Sequence, residues 1–297
     1  MADYQEYRRR ILRKRWRRNF AVAGLLVLLI LLSAVGLLWK RLHREQSPAA
    51  VQGPTIFQQE LQSSEWNTIS YTPARRLTTS AGSTAMDFRL AALDRTTAVD
   101  RSYFANVCFL GDSLTQGMQI YSSGLPEASF CAYRGANPSV VVNGTTCKRS
   151  DGGTEVPMEV LTARQPPVLY ILLGTNVLNR DGDYSSFLTY YRLMLDMISQ
   201  ALPNTQIYVQ SITPVRPEVR NSHPGLYKER LCEINNELAA IALEKNCAFL
   251  NLWEALADDN GDLKAEYAQP DGIHIKPEGY PAWVEYLATH TVGQQTA

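Results

Sequence analysis

A serine hydroxyl becomes a nucleophile when a neighbouring imidazole can take its proton, so the four histidines of the chain narrow the search. His43 borders a long apolar run, His290 lies near the C-terminus past the expected inner face of the last helix, and His223 sits in a Ser-His-Pro-Gly turn. His274 differs. In Asp271-Gly272-Ile273-His274 a carboxylate three residues earlier can accept from the ring and hold its tautomer. The matching hydroxyl is Ser113, in Leu110-Gly111-Asp112-Ser113-Leu114-Thr115-Gln116-Gly117. An apolar run ends there and a helix opens, so a helix N-terminus and backbone N–H groups would face developing negative charge. A third piece, Leu173-Gly174-Thr175-Asn176, places an amide that can donate to an oxyanion after another apolar run. Each piece read alone has an ordinary meaning as well: Gly-Asp-Ser is a turn and N-cap, Asp271 a capping residue, Asn176 a turn former. Thr115 stands where a Gly-x-Ser-x-Gly elbow needs glycine, which disfavours the α/β-hydrolase arrangement.

The elements that would carry these residues are readable from periodicity. Val107–Leu110, Phe130–Tyr133, Val168–Leu173, Ile207–Val209 and Ala248–Leu252 are short apolar runs of the kind found in buried parallel strands. Phe187, Tyr191, Met194, Leu195 and Ile198 repeat at three and four residues, and Pro203 with Asn204 ends that helix. Leu231, Ile234, Leu238, Ile241 and Ala242 do the same before Asn246. A last helix starts at Pro277 with Tyr280, Trp283, Val284 and Leu287 as its inner face. Alternating strands and helices predict an α/β sheet covered on both faces, with working residues beyond the carboxyl ends of the strands. The Pro-rich segment Ser211–Tyr227 follows the fourth strand and should border the pocket, where Arg216 and Arg220 are candidates for contacting an anionic substrate.

The formal net charge of zero hides an asymmetry between the ends. Residues 1–45 carry 11 Lys and Arg against 3 Asp and Glu, and the remainder 18 against 26. A basic head on an acidic body is not the footprint of a nucleic-acid binder, which spreads positive charge over its folded domain. Phe20–Trp39 holds 20 residues without a charge, about 30 Å of helix, enough to span a bilayer core. The positive-inside rule then puts the N-terminus in the cytoplasm and the rest outside. The apolar run continues past its small residues, unlike a cleaved signal peptide. The expected organisation is a basic cytoplasmic tail at 1–19, a transmembrane anchor at 20–39, a stalk at 40–98, a catalytic domain at 99–292 and a tail at 293–297. A short apolar element at Ile56–Leu61 has no assigned place.

All five cysteines fall in the exported part, and an odd count leaves at least one thiol unpaired or paired between molecules. Cys232 and Cys247 bracket one helix, too far apart to bond. Cys131–Cys147 is a candidate bridge. No CxxC or His/Cys cluster points to a metal, and no cofactor is implied.

Taken together, these motifs resemble the SGNH (or GDSL) hydrolase family. Gly111-Asp112-Ser113-Leu114 matches its first block, Gly174-x-Asn176 its third and Asp271-x-x-His274 its fifth, in the family's order across residues 99–292. The second block, a lone glycine, best matches Gly135 in Tyr133-Arg134-Gly135-Ala136-Asn137, with Gly144 as the rival. Val177 stands where the family's third block often has Asp. The resemblance implies a flavodoxin-like three-layer α/β/α sandwich with a parallel sheet of about five strands, here preceded by one transmembrane helix. It also implies a metal-free ester hydrolysis with Ser113 as nucleophile, His274 as base, Asp271 as its partner, and Ser113, Gly135 and Asn176 as the oxyanion hole. The expected function is an extracytoplasmic serine esterase of a bacterial membrane, removing O-acetyl groups from cell-wall or surface glycans. Lipid or thioester hydrolysis, glycan O-acyl transfer by the same triad, and a catalytically silent binding module are the alternatives.

Overall fold

Five apolar runs become strands because each is flanked by turn residues and each has somewhere to bury both faces. The computed structural model describes residues 77–78, 84–85, 87–121 and 124–293. The chain divides after Gln52, and all the described residues belong to the second unit. The basic head, the run Phe20–Trp39 and the element at Ile56–Leu61 lie outside the described residues. No helix among the described residues is long and apolar enough to cross a membrane.

The strands are β1 Val107–Gly111, β2 Ser129–Ala132, β3 Val168–Leu172, β4 Gln206–Gln210 and β5 Ala248–Leu250. They pair in parallel in the order β2-β1-β3-β4-β5. That is the flavodoxin-like order, with its switch point between β1 and β3. The helices are α1 Phe88–Ala91, α2 Ser113–Ile120, α3 Pro138–Val142, α4 Pro157–Arg164, α5 Ser185–Ala201, α6 Lys228–Glu244, α7 Trp253–Leu256 and α8 Tyr280–Ala288. Strand residues alternate between two cores. Cys108, Leu110, Leu169, Ile171 and Val209 face one that includes the apolar stripes of α5 and α6. Phe109, Tyr170, Leu172 and Tyr208 face another that includes α2 and α8.

Register is marked by a row of rings across four strands. Phe130 stacks on Phe109 at 5.1 Å, Phe109 on Tyr170 at 5.3 Å, and Tyr170 on Tyr208 at 4.5 Å. These are directly paired residues in each ladder. Since side chains alternate faces, a slip of one residue would turn its ring to the wrong core, so the row holds the strand ends in step.

The final helix docks through specific bonds as well as apolar area. Tyr280, Trp283, Val284 and Leu287 are buried, as the periodicity predicts. Trp283 Nε1 donates to Gln210 Oε1 at 2.8 Å, and the Tyr280 hydroxyl donates to the Leu114 carbonyl at 3.0 Å. Only glycine fits beneath that hydroxyl: a Cβ on Gly117 would stand 1.9 Å from it. Pro277–Gly279 forms a 3-10 turn first, so the α-helix proper begins three residues later than expected.

Two expectations are corrected. The linker does not extend to residue 98, because Phe88 and Ala92 are fully buried and α1 packs on α6. Asp87 caps α1 and pairs with Arg89 at 2.7 Å with both side chains nearly inaccessible, so the folded domain includes residue 87 onward. Cys131 does not bridge to Cys147. It lies on β2 with its sulfur 3.8 Å from that of Cys108, while Cys147 opens a small hairpin, Cys147–Lys148 with Thr154–Glu155, and donates to the Thr145 carbonyl. All five cysteines are free thiols and buried.

Titration with a thiol reagent under non-reducing conditions is expected to find no fast-reacting group in the native protein and five per chain after unfolding. A Cys131–Cys147 bridge would remove a pair from that total. Replacing Tyr170 by Ala should cost about 3–5 kcal/mol in denaturant unfolding, whereas Tyr170→Phe should cost about 1 kcal/mol or less. Among the described residues the hydroxyl meets only Tyr103, at 3.4 Å, while the ring stacks on two neighbours.

Candidate active site

β1 ends at Gly111 and α2 begins at Ser113, leaving Asp112 alone to make the turn. Asp112 has extended backbone, and its Oδ1 accepts from the Leu114 N–H at 3.0 Å, a side-chain N-cap. Ser113 is therefore the first residue of the helix, at the carboxyl end of a central strand. Its Oγ lies 2.9 Å from His274 Nε2, across 161 residues of sequence. His274 Nδ1 in turn lies 2.6 Å from Asp271 Oδ2. A carboxylate can only accept, so its ring partner Nδ1 carries the proton and Nε2 is left to accept from the serine. Ser113, His274 and Asp271 thus stand in one hydrogen-bonded line.

Asp271 also builds the loop that presents the ring. Its Oδ1 accepts from the backbone N–H groups of Ile273 and His274, both at 2.9 Å. Partial burial pushes this carboxyl up, but those two N–H bonds and the imidazole outweigh it and hold it below the usual carboxylate range. The loop is closed by an isolated bridge between Ala268 and Ile275, and the Gln269 N–H donates to the His274 carbonyl at 2.8 Å. Gly272 adopts φ +72°, and a Cβ there would stand 2.7 Å from Val219 and 2.9 Å from the Arg216 stem.

That contact redefines Arg216. Its backbone N–H donates to the Gly272 carbonyl at 2.9 Å, and its Nη1 donates to the Leu263 carbonyl at 2.8 Å and meets Asp258 at 3.3 Å. The Arg220 guanidinium carbon lies over the Tyr227 ring, 4.0 Å from its centroid. Both guanidinium groups have partners within the fold, and the Arg220 side chain is exposed. Arg216 holds the histidine loop at Gly272, and Arg220 packs on its own segment.

The oxyanion candidates come from the ends of the two strands flanking β1. After β2, the Ala136 N–H donates to the Tyr133 carbonyl at 3.0 Å, closing a turn whose third residue, Gly135, has φ +76°. That is the type II pattern, which requires glycine there. Gly144, the rival, instead follows the Asn143 C-cap of α3. After β3, Asn176 Nδ2 lies 3.0 Å from Asp112 Oδ2 and 3.1 Å from the Ala136 carbonyl. Among the described residues, the Ser113 and Gly135 amides have no acceptor in the fold. Gly135 and Asn176 thus meet through the Ala136 peptide beside the start of α2.

Asp112 is the residue whose full part the sequence did not reveal. Read as a cap, it is one, yet it is 1% exposed and holds a second partner from another strand. Burial pushes its carboxyl up to about 7, against the helix N–H and the nearby His274. The cap was visible in Gly-Asp-Ser; the second bond depends on β3 lying next to β1. His290, in contrast, is an interior histidine. It stacks on Tyr286 at 3.9 Å, and burial lowers it to about 4.

A hydroxyl, an imidazole and a carboxylate in line, with amides beside them, can move one proton and stabilise one oxyanion. Solved structures that the chain matches include a GDSL-like lipase from Bacteroides thetaiotaomicron, 15% identical with a TM-score of 0.46, covering 61% of this chain and 84% of its own. The lipase/acylhydrolase of Enterococcus faecalis is 14% identical with a TM-score of 0.44, covering 61% and 92%. A carbohydrate esterase family 3 protein of Talaromyces cellulolyticus is 16% identical with a TM-score of 0.41, covering 61% and 93%. No curated protein matches the chain. Residues 109–282, more than half of the sequence and running from within β1 to the first turn of α8, match one family throughout, and the chain belongs to the GDSL-like Lipase/Acylhydrolase family of ester hydrolases.

Proposed function

We propose that the protein is a serine esterase that works through an acyl-enzyme and removes short acyl groups, O-acetyl above all, from cell-wall or surface glycans. The observation that carries the chemistry is the line of two hydrogen bonds from Ser113 through His274 to Asp271. In this reading His274 Nε2 takes the Ser113 proton as Oγ attacks the ester carbonyl. The negative charge that develops on the carbonyl oxygen meets the Ser113 and Gly135 N–H groups and the Asn176 amide. Collapse passes the proton from His274 to the departing sugar hydroxyl and leaves the acyl group on Ser113. Water then gives a proton to the same imidazole, attacks the acyl carbon, and releases the acid as the proton returns to Oγ. Asp271 remains ionised throughout and favours the imidazolium that forms twice in the cycle.

The preference for a short acyl group on a bulky polar carrier rests on openness. The His274 and Asp271 side chains are 40% and 46% exposed, so the reacting bond is met at a rim. A long acyl chain gains affinity by being enclosed in apolar walls, whereas an acetyl group needs little enclosure. The extracytoplasmic location, with a cytoplasmic N-terminus and Phe20–Trp39 as anchor, belongs to the same proposal and is supported by the charge asymmetry of the sequence.

Ser113→Ala is expected to lower kcat/KM on nitrophenyl acetate by at least about 10⁴-fold with an unchanged unfolding curve, and to abolish labelling by a fluorophosphonate. A variant that still turned over normally would refute the assignment. Across nitrophenyl esters of rising acyl length, kcat/KM should fall from acetate onward, and acetylated polysaccharide should release acetate. A maximum at long chains would overturn the substrate class while leaving the triad in place.

A further inference from the structure

Asp112 stands between the nucleophile and the expected oxyanion donor, and it uses both of its oxygens. Oδ1 accepts from the Leu114 N–H, in the first turn of the helix that Ser113 opens. Oδ2 accepts from Asn176 Nδ2 across 64 residues of sequence. The side chain is buried at the join of β1, β3 and α2, with no solvent to substitute for either partner. From this geometry we infer that Asp112 is a positioning residue for the reaction, fixing the plane of the Asn176 amide and its distance from Ser113. The inference rests on the acyl-enzyme reading and adds to it a residue that touches no substrate.

An amide nitrogen carries two N–H groups. One is taken by Asp112, which fixes the rotation of the side chain. The other faces the Ala136 carbonyl at 3.1 Å, the peptide next to Gly135. With the first N–H held, only this second N–H is left to be shared between that carbonyl and an oxyanion, the amide plane staying as Asp112 sets it. Because the same carboxylate caps α2, the hydroxyl and the donor share one rigid bridge. A helix cap alone would not require the second oxygen, since serine or threonine caps as well. Asparagine cannot replace the residue in full, because it has one acceptor oxygen for two donors.

The test separates a cap from a positioner. Asp112→Ser retains a capping oxygen but is too short to reach Asn176, and Asp112→Asn must give up one of the two bonds. For both, kcat on nitrophenyl acetate is expected to fall by about 10- to 100-fold with KM changed by no more than about twofold. Asn176→Ala should cost on the order of 100-fold. The decisive measurement is the double variant: Asp112→Ser combined with Asn176→Ala should be no slower than Asn176→Ala alone. Losses that multiply, or an Asp112→Ser enzyme with wild-type kcat, would overturn the inference. Asn176→Ala with normal turnover would overturn it too, while leaving the Ser113 assignment intact. Activity surviving Ser113→Ala would instead bring down the esterase reading beneath it. Should Asp112→Asn fail to fold, Asp112→Ser with its melting curve carries the whole test.

Discussion

The row of four rings across β2, β1, β3 and β4 decides where everything else can sit. Parallel strands have evenly spaced ladder bonds and no tight turn to set their offset, so side-chain pairs must do it. Here Phe130, Phe109, Tyr170 and Tyr208 lie in one line and in one core. With that line fixed, Ser113, Gly135 and Asn176 follow the ends of three neighbouring strands at a common level. These three residues inherit their spacing from the sheet, whose strand separation is about 4.8 Å.

The imidazole arrives by a different route. Its loop comes after the last strand, is held by the main-chain bond from Arg216 to Gly272, and leads into α8, which binds α2 through Tyr280. The line from Ser113 to Asp271 therefore joins two independently built pieces, one hanging from the sheet and one clamped against its end. Electrostatics at the junction run against a simple reading of the helix dipole. A buried carboxyl occupies the N-cap of the helix that would face an oxyanion, and burial raises its proton affinity in response. Where that carboxyl is ionised, the site gives up some favourable potential in exchange for a fixed donor.

Much of this architecture is legible in the residues. Buried parallel strands are continuous apolar runs, so all five stand out to within a residue or two, and the α5 and α6 stripes are plain because their periods are long. Asp271 and His274 are legible because they are neighbours in sequence and their partnership is local. The rest depends on adjacency that no short segment encodes. Arg216 looks like a surface cation until Asp258 and the Leu263 carbonyl come up beside it. The single turn of α1 is too short to display a period, so its burial against α6 cannot be told from linker. The approach of Cys131 to Cys108 follows from β2 lying beside β1, while spacing alone favours Cys147.

The bareness of the rim bears on how such a protein can be inhibited. Reversible ligands gain tight affinity by burying most of their surface, and with His274 and Asp271 40% and 46% open to solvent there is little enclosure here to exploit. On the proposed chemistry, potency would come instead from bonding to Ser113 Oγ itself, through electrophiles such as boronates or phosphonates that settle into tetrahedral adducts. Selectivity among related proteins would then rest on groups reaching outward to the loops around the rim, where Val177 is 43% exposed next to Asn176.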